Sequence, residues 1–160
     1  MTEIHKICSF FGHSQIEITD ELKVKLKNLL IDLIENQNVN IFYFGGFGQF
    51  DDLCYKTVCD LKQTYTNLQR IFCTADPRWF RSSKRPRWLN EETYEDIVYL
   101  DLDFDWWYQR IYFRNCEMMN QSDFVVFYVK DKSSRSGAYK ALQYATKKKK
   151  QYFNLAEQIL

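Results

Sequence analysis

The stretch Ile41-Phe42-Tyr43-Phe44-Gly45-Gly46-Phe47-Gly48-Gln49-Phe50-Asp51 constrains the fold more than any other. Its first four residues are apolar and read as a buried strand, three glycines follow within four positions, and helical patterning begins at Asp51 or Asp52. Strand, flexible turn and helix start, in that order, make a βα unit. Such a turn lets backbone N–H groups approach a ligand closely and aims the positive end of a helix dipole at it, which favours phosphate or another anion. The spacing of Gly45, Gly46 and Gly48 matches neither the dinucleotide fingerprint nor the Walker loop. Taken alone, the stretch is equally consistent with a tight turn that binds nothing.

The same alternation recurs along the chain. Residues 6–11 read as a strand closed by Gly12 and His13, and from Thr19 or Asp20 the positions Leu22, Leu26, Leu29, Leu30 and Leu33 repeat at helical spacing as far as about Asn36. Further strands are predicted at 69–74, 97–100, 124–129 and 152–155, and further helices at 106–119 and from Ser136-Gly137 onward. The strands are almost continuously apolar, as suits a sheet covered on both faces. The expected fold is therefore α/β: a three-layer Rossmann-like sandwich with a mainly parallel sheet and right-handed crossovers. All five glycines, Gly12, Gly45, Gly46, Gly48 and Gly137, follow predicted strands. In open α/β sheets ligands bind beyond the carboxyl ends of the strands, where the strand order switches, so these glycines mark a candidate site.

At 160 residues the chain is read as one domain, 1–160, with an irregular insert at about 75–96 that carries both prolines, Arg78, Arg81, Lys84, Arg85, Arg87, Trp79, Phe80 and Trp88. That insert suits a lid over a small ligand, with a nucleic-acid clamp or an oligomer contact as the other readings. The 22 Lys+Arg against 21 Asp+Glu leave a net charge of +1, which argues against nucleic acid as a partner. No leader and no run of membrane-spanning length is present, so a soluble cytoplasmic protein is expected. The five cysteines contain no C-x-x-C pair and only His5 and His13 accompany them, so reduced structural thiols are expected and no metal site.

With Ser9-Phe10-Phe11-Gly12-His13, the 43–51 stretch, Arg110-Ile111-Tyr112-Phe113-Arg114-Asn115, residues 122–129 and Ser136-Gly137-Ala138-Tyr139-Lys140-Ala141-Leu142 in order, the chain resembles the SLOG superfamily, Rossmann-like proteins related to LOG-type phosphoribohydrolases and to DprA. Within it, the small bacterial and phage YpsA-like branch is the most similar. The resemblance implies a domain that binds a nucleotide or nucleotide-derived molecule between its glycine-bearing loops. Some relatives are phosphoribohydrolases, and others are sensor domains in defence systems. The enzymatic relatives carry a P-G-G-x-G-T-x-x-E loop, whereas this chain has Ser136-Gly137-Ala138-Tyr139-Lys140-Ala141-Leu142, without the glutamate. With no holder for the usual acid–base role, binding as a sensor or sequestering domain ranks above N-glycosidase, phosphoribohydrolase or ribosyl-transfer activity. A protein-interaction module that uses the Trp-rich insert is the third reading. The expected partners are a nucleotide-derived small molecule and further copies of this chain; no cofactor and no catalytic residue are assigned.

The residues assigned to ligand binding are Gly12, His13, Gly45, Gly46, Phe47, Gly48, Asp51, Arg110, Arg114, Asn115, Ser136 and Gly137. Amides of Gly45, Gly46 and Gly48 suit phosphate or ribose oxygens, and Asp51 either accepts a sugar hydroxyl or caps its helix. Gly12 and His13 line the base or sugar, unless His13 serves only as a local hydrogen-bonding residue of the turn. Ser136 and Gly137 either meet a second phosphate or form a plain helix cap. Arg110 and Arg114 fall one turn apart on one helix face and suit phosphate through their fork geometry, or else pair with Asp101, Asp103 or Asp105. The Arg114-Asn115 position in the resemblance places Arg114 ahead of Arg110.

Overall fold

A computed structural model describes residues 4–80, 85–102 and 106–157. Arg81, Lys84, Asp103 and Asp105 lie outside the described residues, as do the side chains of Phe80 and Trp107. Among the described residues, strands β1 (Lys6–Gly12), β2 (Val39–Phe44), β3 (Gln69–Thr74), β4 (Asp96–Tyr99), β5 (Phe124–Tyr128) and β6 (Tyr152–Asn154) form one sheet in the order β4-β3-β2-β1-β5-β6. Every neighbouring pair is parallel. The helices are α1 (Asp20–Gln37), α2 (Gln49–Lys62), the short α3 (Pro77–Phe80), α4 (Trp107–Gln121) and α5 (Gly137–Lys147). The fold is Rossmann-like α/β.

The apolar strands are explained by their two covered faces. On β1 and β2, Phe10, Phe42 and Phe44 point into a core with α1 and α2, while Phe11 and Tyr43 point into a second core with α4 and α5. Alternate residues of one strand thus enter different layers, and no position is left for a solvated polar face. Leu22, Leu26, Leu30 and Leu33 form the buried stripe of α1. Thr19 is its N-cap, with Oγ1 accepting from the Leu22 amide at 3.1 Å, and Asn38 ends it in the left-handed conformation. Thr19→Ala is expected to cost about 1 kcal/mol, read as a lower urea midpoint with an unchanged m-value.

Two departures from the sequence expectation bear on the site. Helix α2 begins at Gln49 because Gly48 is its N-cap and the Gln49 amide donates to Ser14 O at 2.8 Å, a contact between distant segments that periodicity does not encode. Trp79, Leu89 and Tyr94 of the insert pack into or against the core. Trp79 stacks on Phe72 at 5.8 Å, Leu89 and Tyr94 are buried, and Tyr94 meets Tyr55 at 4.9 Å. Trp88 remains half-exposed against Phe72 and Trp79.

Cys8, Cys54, Cys73 and Cys116 are buried and Cys59 is half-buried, all as free thiols. No described helix is long and apolar enough to cross a membrane.

Candidate functional site

The strand order reverses at β1: β2, β3 and β4 lie on one side of it, β5 and β6 on the other. Gly12, the last residue of β1, is in register with Tyr128, the last of β5, so the two following loops leave the sheet side by side. Between them, the β2–α2 loop and α4 lies a cleft of about 580 Å³. Nine of the twelve assigned residues line it: Gly12, His13, Gly45, Phe47, Asp51, Arg114, Asn115, Ser136 and Gly137. Gly46 and Arg110 instead line a neighbouring cavity of about 430 Å³, which Gly45, Phe47 and Arg114 share. Gly48 lies at a smaller one beside Asp52 and Tyr94.

His13 holds the loops together. Its Nε2 accepts from the amides of Lys130 and Asp131, both at 2.9 Å, which places the ring proton on Nδ1, 3.5 Å from Ser136 Oγ. Ser136 is also the N-cap of α5, accepting from the Tyr139 amide at 3.1 Å. Glycine is required at Gly12 because a Cβ there would meet the Phe50 ring at 2.4 Å, and Phe50 is fully buried. At Gly137 a Cβ would meet nothing within 4 Å, so the first turn of α5 is open at this position.

Across the cleft, the β2–α2 loop folds around a buried carboxyl. Gly46 has φ +73° and Gly48 φ +97°, backbone that other residues rarely adopt. This turn directs the Gly46 amide to Asp51 Oδ2 at 3.1 Å. Asp51 is the third residue of α2 and not its cap. Burial pushes its carboxyl up to about 7, although Arg114 and the amides of Gly45 and Gly46 favour the charged form. Arg114 reaches across from α4, donating from Nη1 to Gly45 O at 3.3 Å and from Nη2 and Nε to Asn115 Oδ1 at 3.0 and 3.3 Å. These contacts engage three of the five N–H donors of a guanidinium, and desolvation lowers its pKa. Arg110, one turn earlier, acts electrostatically on Asp76, whose carboxyl is held below its ordinary value chiefly by Arg78.

The ring of Phe47 is 73% exposed at the cleft, unusual for a phenylalanine and suited to covering a planar group. Sequence reading did not assign Gln15, Asp131 or Arg135, which also line the cleft. Arg135 directly precedes the α5 N-cap, and that position was its only sequence signal. Trp79 and Phe72 were not assigned either and form a wall of the neighbouring cavity. Among the described residues no cluster of three or more His, Cys, Asp or Glu side chains could hold a metal ion.

Fold and cleft together define a Rossmann-like domain with its opening at the strand-order switch. No protein-family model and no curated protein matches the chain. Among solved structures it is similar to DNA processing protein A from Helicobacter pylori, in a structure described as giving insight into that protein's single-stranded DNA binding mode. The TM-score is 0.64 at 16% identity, over 96% of this chain and 66% of that one. At that identity the likeness concerns the fold. It nevertheless corrects the expectation that nucleic acid is an unlikely partner: a protein of this fold is described as binding single-stranded DNA. A net charge of +1 counts charges without locating them, so it does not argue against such a partner.

Proposed function

We propose that the cleft at the β1–β5 switch binds the phosphate-bearing part of a nucleotide, free or within a nucleic acid, and that the chain acts as a binding domain. The observation that carries this reading is the convergence of three complementary groups on one cleft: the Arg114 guanidinium, the N-terminal turn of α5 at Gly137, and the exposed Phe47 ring. A guanidinium and a helix N-terminus favour an anion, and an exposed ring offers a face to a base. The single-stranded DNA binding described for the structural neighbour agrees with this chemistry. Membership of the SLOG superfamily and a sensor or sequestering role are part of the same proposal.

A second reading is favoured by Asp51. A buried carboxyl near 7 beside an anion site can give or take a proton at neutral pH, the role the missing loop glutamate has in the enzymatic relatives of the resemblance. One experiment separates the two: calorimetric titration with the four common nucleoside monophosphates and with inorganic phosphate, followed by chromatography of each mixture for free base. The binding reading expects at least one nucleotide to bind tenfold or more tighter than phosphate and to be recovered intact. Release of base replaces it with the N-glycosidase reading, and folded protein that binds none of the ligands overturns both.

A further inference from the structure

The cleft does not end at α5. Ile111, Asn115, Arg135 and Gly137 line it and also line a groove of about 860 Å³ between α4 and α5, so the two are continuous. The chemistry of the groove is one-sided. Arg135, Lys140, Lys147 and Lys148 supply four cations, and among the described residues that line it there is no carboxylate. The chain as a whole is almost neutral, so folding has concentrated positive charge here. The α4 side of the groove is aromatic, lined by Tyr108, Tyr112 and Phe113, and Tyr144 of α5 adds a fourth ring to the lining. Tyr112 and Phe113 meet edge to face at 5.1 Å, and Lys148 Nζ lies 5.8 Å above the Tyr144 ring. Lys140, Lys147 and Lys148 are exposed.

A row of cations beside a row of rings complements a polyanion whose bases are available for stacking. A duplex keeps its base faces stacked inside, whereas a single strand presents them. Lys140 and Lys147 are seven residues apart on α5, about 10 Å along the helix axis, the length of roughly three nucleotides at the 3.4 Å spacing of a stacked strand. A free mononucleotide held in the cleft would leave this groove empty.

We infer that the α4–α5 groove carries a single-stranded nucleic acid onward from a nucleotide held in the cleft, with phosphates along Lys140, Lys147 and Lys148 and bases against the α4 rings. The inference rests on the cleft reading for where the strand enters.

The test is fluorescence anisotropy with labelled oligo(dT) and oligo(U) of two, four and eight nucleotides, at low and moderate salt. It uses the wild-type chain and a variant carrying Lys140→Glu, Lys147→Glu and Lys148→Glu, with calorimetry of the mononucleotide on both proteins. Affinity is expected to rise at least tenfold from the dinucleotide to the octanucleotide. The variant is expected to lose at least tenfold on the octanucleotide and to show a shallower salt dependence, with its mononucleotide affinity within twofold of wild type. Octanucleotide binding that is no tighter than dinucleotide binding, or is unchanged in the variant, or is matched by a duplex of the same sequence, overturns the groove. If the wild type fails to bind mononucleotide while the length and lysine effects remain, the cleft reading falls and the groove stands. The DNA and RNA arms show which sugar the groove prefers.

Discussion

Arg114→Ala is expected to weaken nucleoside monophosphate binding by about 100-fold or more, measured by calorimetry. A hydrogen bond to a charged group contributes about 1.5–3 kcal/mol, and Arg114 has two N–H donors beyond those used on Gly45 and Asn115. Arg114 lines both the cleft and the neighbouring cavity. Arg114→Lys should recover only part of the loss, because an ammonium restores the charge and not the planar fork that also holds Gly45 and Asn115. A Cβ at Gly45 would lie 2.6 Å from Arg114 Nη2, so loop and guanidinium are packed to fit each other. Equal affinity in wild type and both variants, with folding verified by circular dichroism, removes Arg114 from the binding site.

Stability should fall as pH rises, over a window set by Asp51. Its carboxyl is raised in the folded chain from 3.8 to about 7, first by burial and also by Asp52, so the folded state holds a proton that the unfolded state releases. The stabilisation from that proton is fully present below about pH 4, declines as pH rises toward 7, and is absent above. A shift of roughly three units corresponds to about 4 kcal/mol at most. Asp51→Asn removes the titration while its amide oxygen can still accept from the Gly46 amide. The variant should therefore match the wild type near pH 4, exceed it increasingly as pH rises to about 7, and keep that advantage to pH 8 in urea unfolding. Asp76, lowered chiefly by Arg78, and Glu95, lowered by Arg70 against the effect of its own burial, give the opposite slope at acid pH. Both are present in either protein and cancel in the difference. Parallel pH profiles would mean that Asp51 is charged throughout. An anion bound in the cleft would favour the protonated carboxyl further, so nucleotide binding just above pH 7 should take up a proton, seen as a dependence of the calorimetric heat on buffer ionisation.

The α/β layering was legible in the residues themselves. Phe10 and Phe11, or Phe42, Tyr43 and Phe44, leave no polar side to a strand, and a sheet with two apolar faces needs helices on both. The glycines were legible for a related reason. Gly46 and Gly48 adopt positive φ, a local demand that a residue without a Cβ meets most readily. Strand ends closed in this way marked the edge of the sheet at which nine of the assigned residues gather.

What lay beyond the sequence was decided by contacts between distant segments. Asp51 reads as an ordinary helix-start carboxylate until the turn at Gly46 and the α4 residue Arg114 are brought against it, because burial, not neighbours in sequence, sets its proton affinity. His13 reads as a turn residue until Lys130 and Asp131 donate to it. Lys147 and Lys148 sit where cations are ordinary, at the C-terminal end of α5, and only the fold brings them to line one groove with Arg135, Lys140 and the α4 rings. The chain alone determined its layers, its turns and the edge at which a site forms, since these follow from local periodicity and backbone conformation. Only the tertiary structure decided which charges are buried, which are gathered and which face one another, since electrostatic effects depend on distance and desolvation that sequence order does not record.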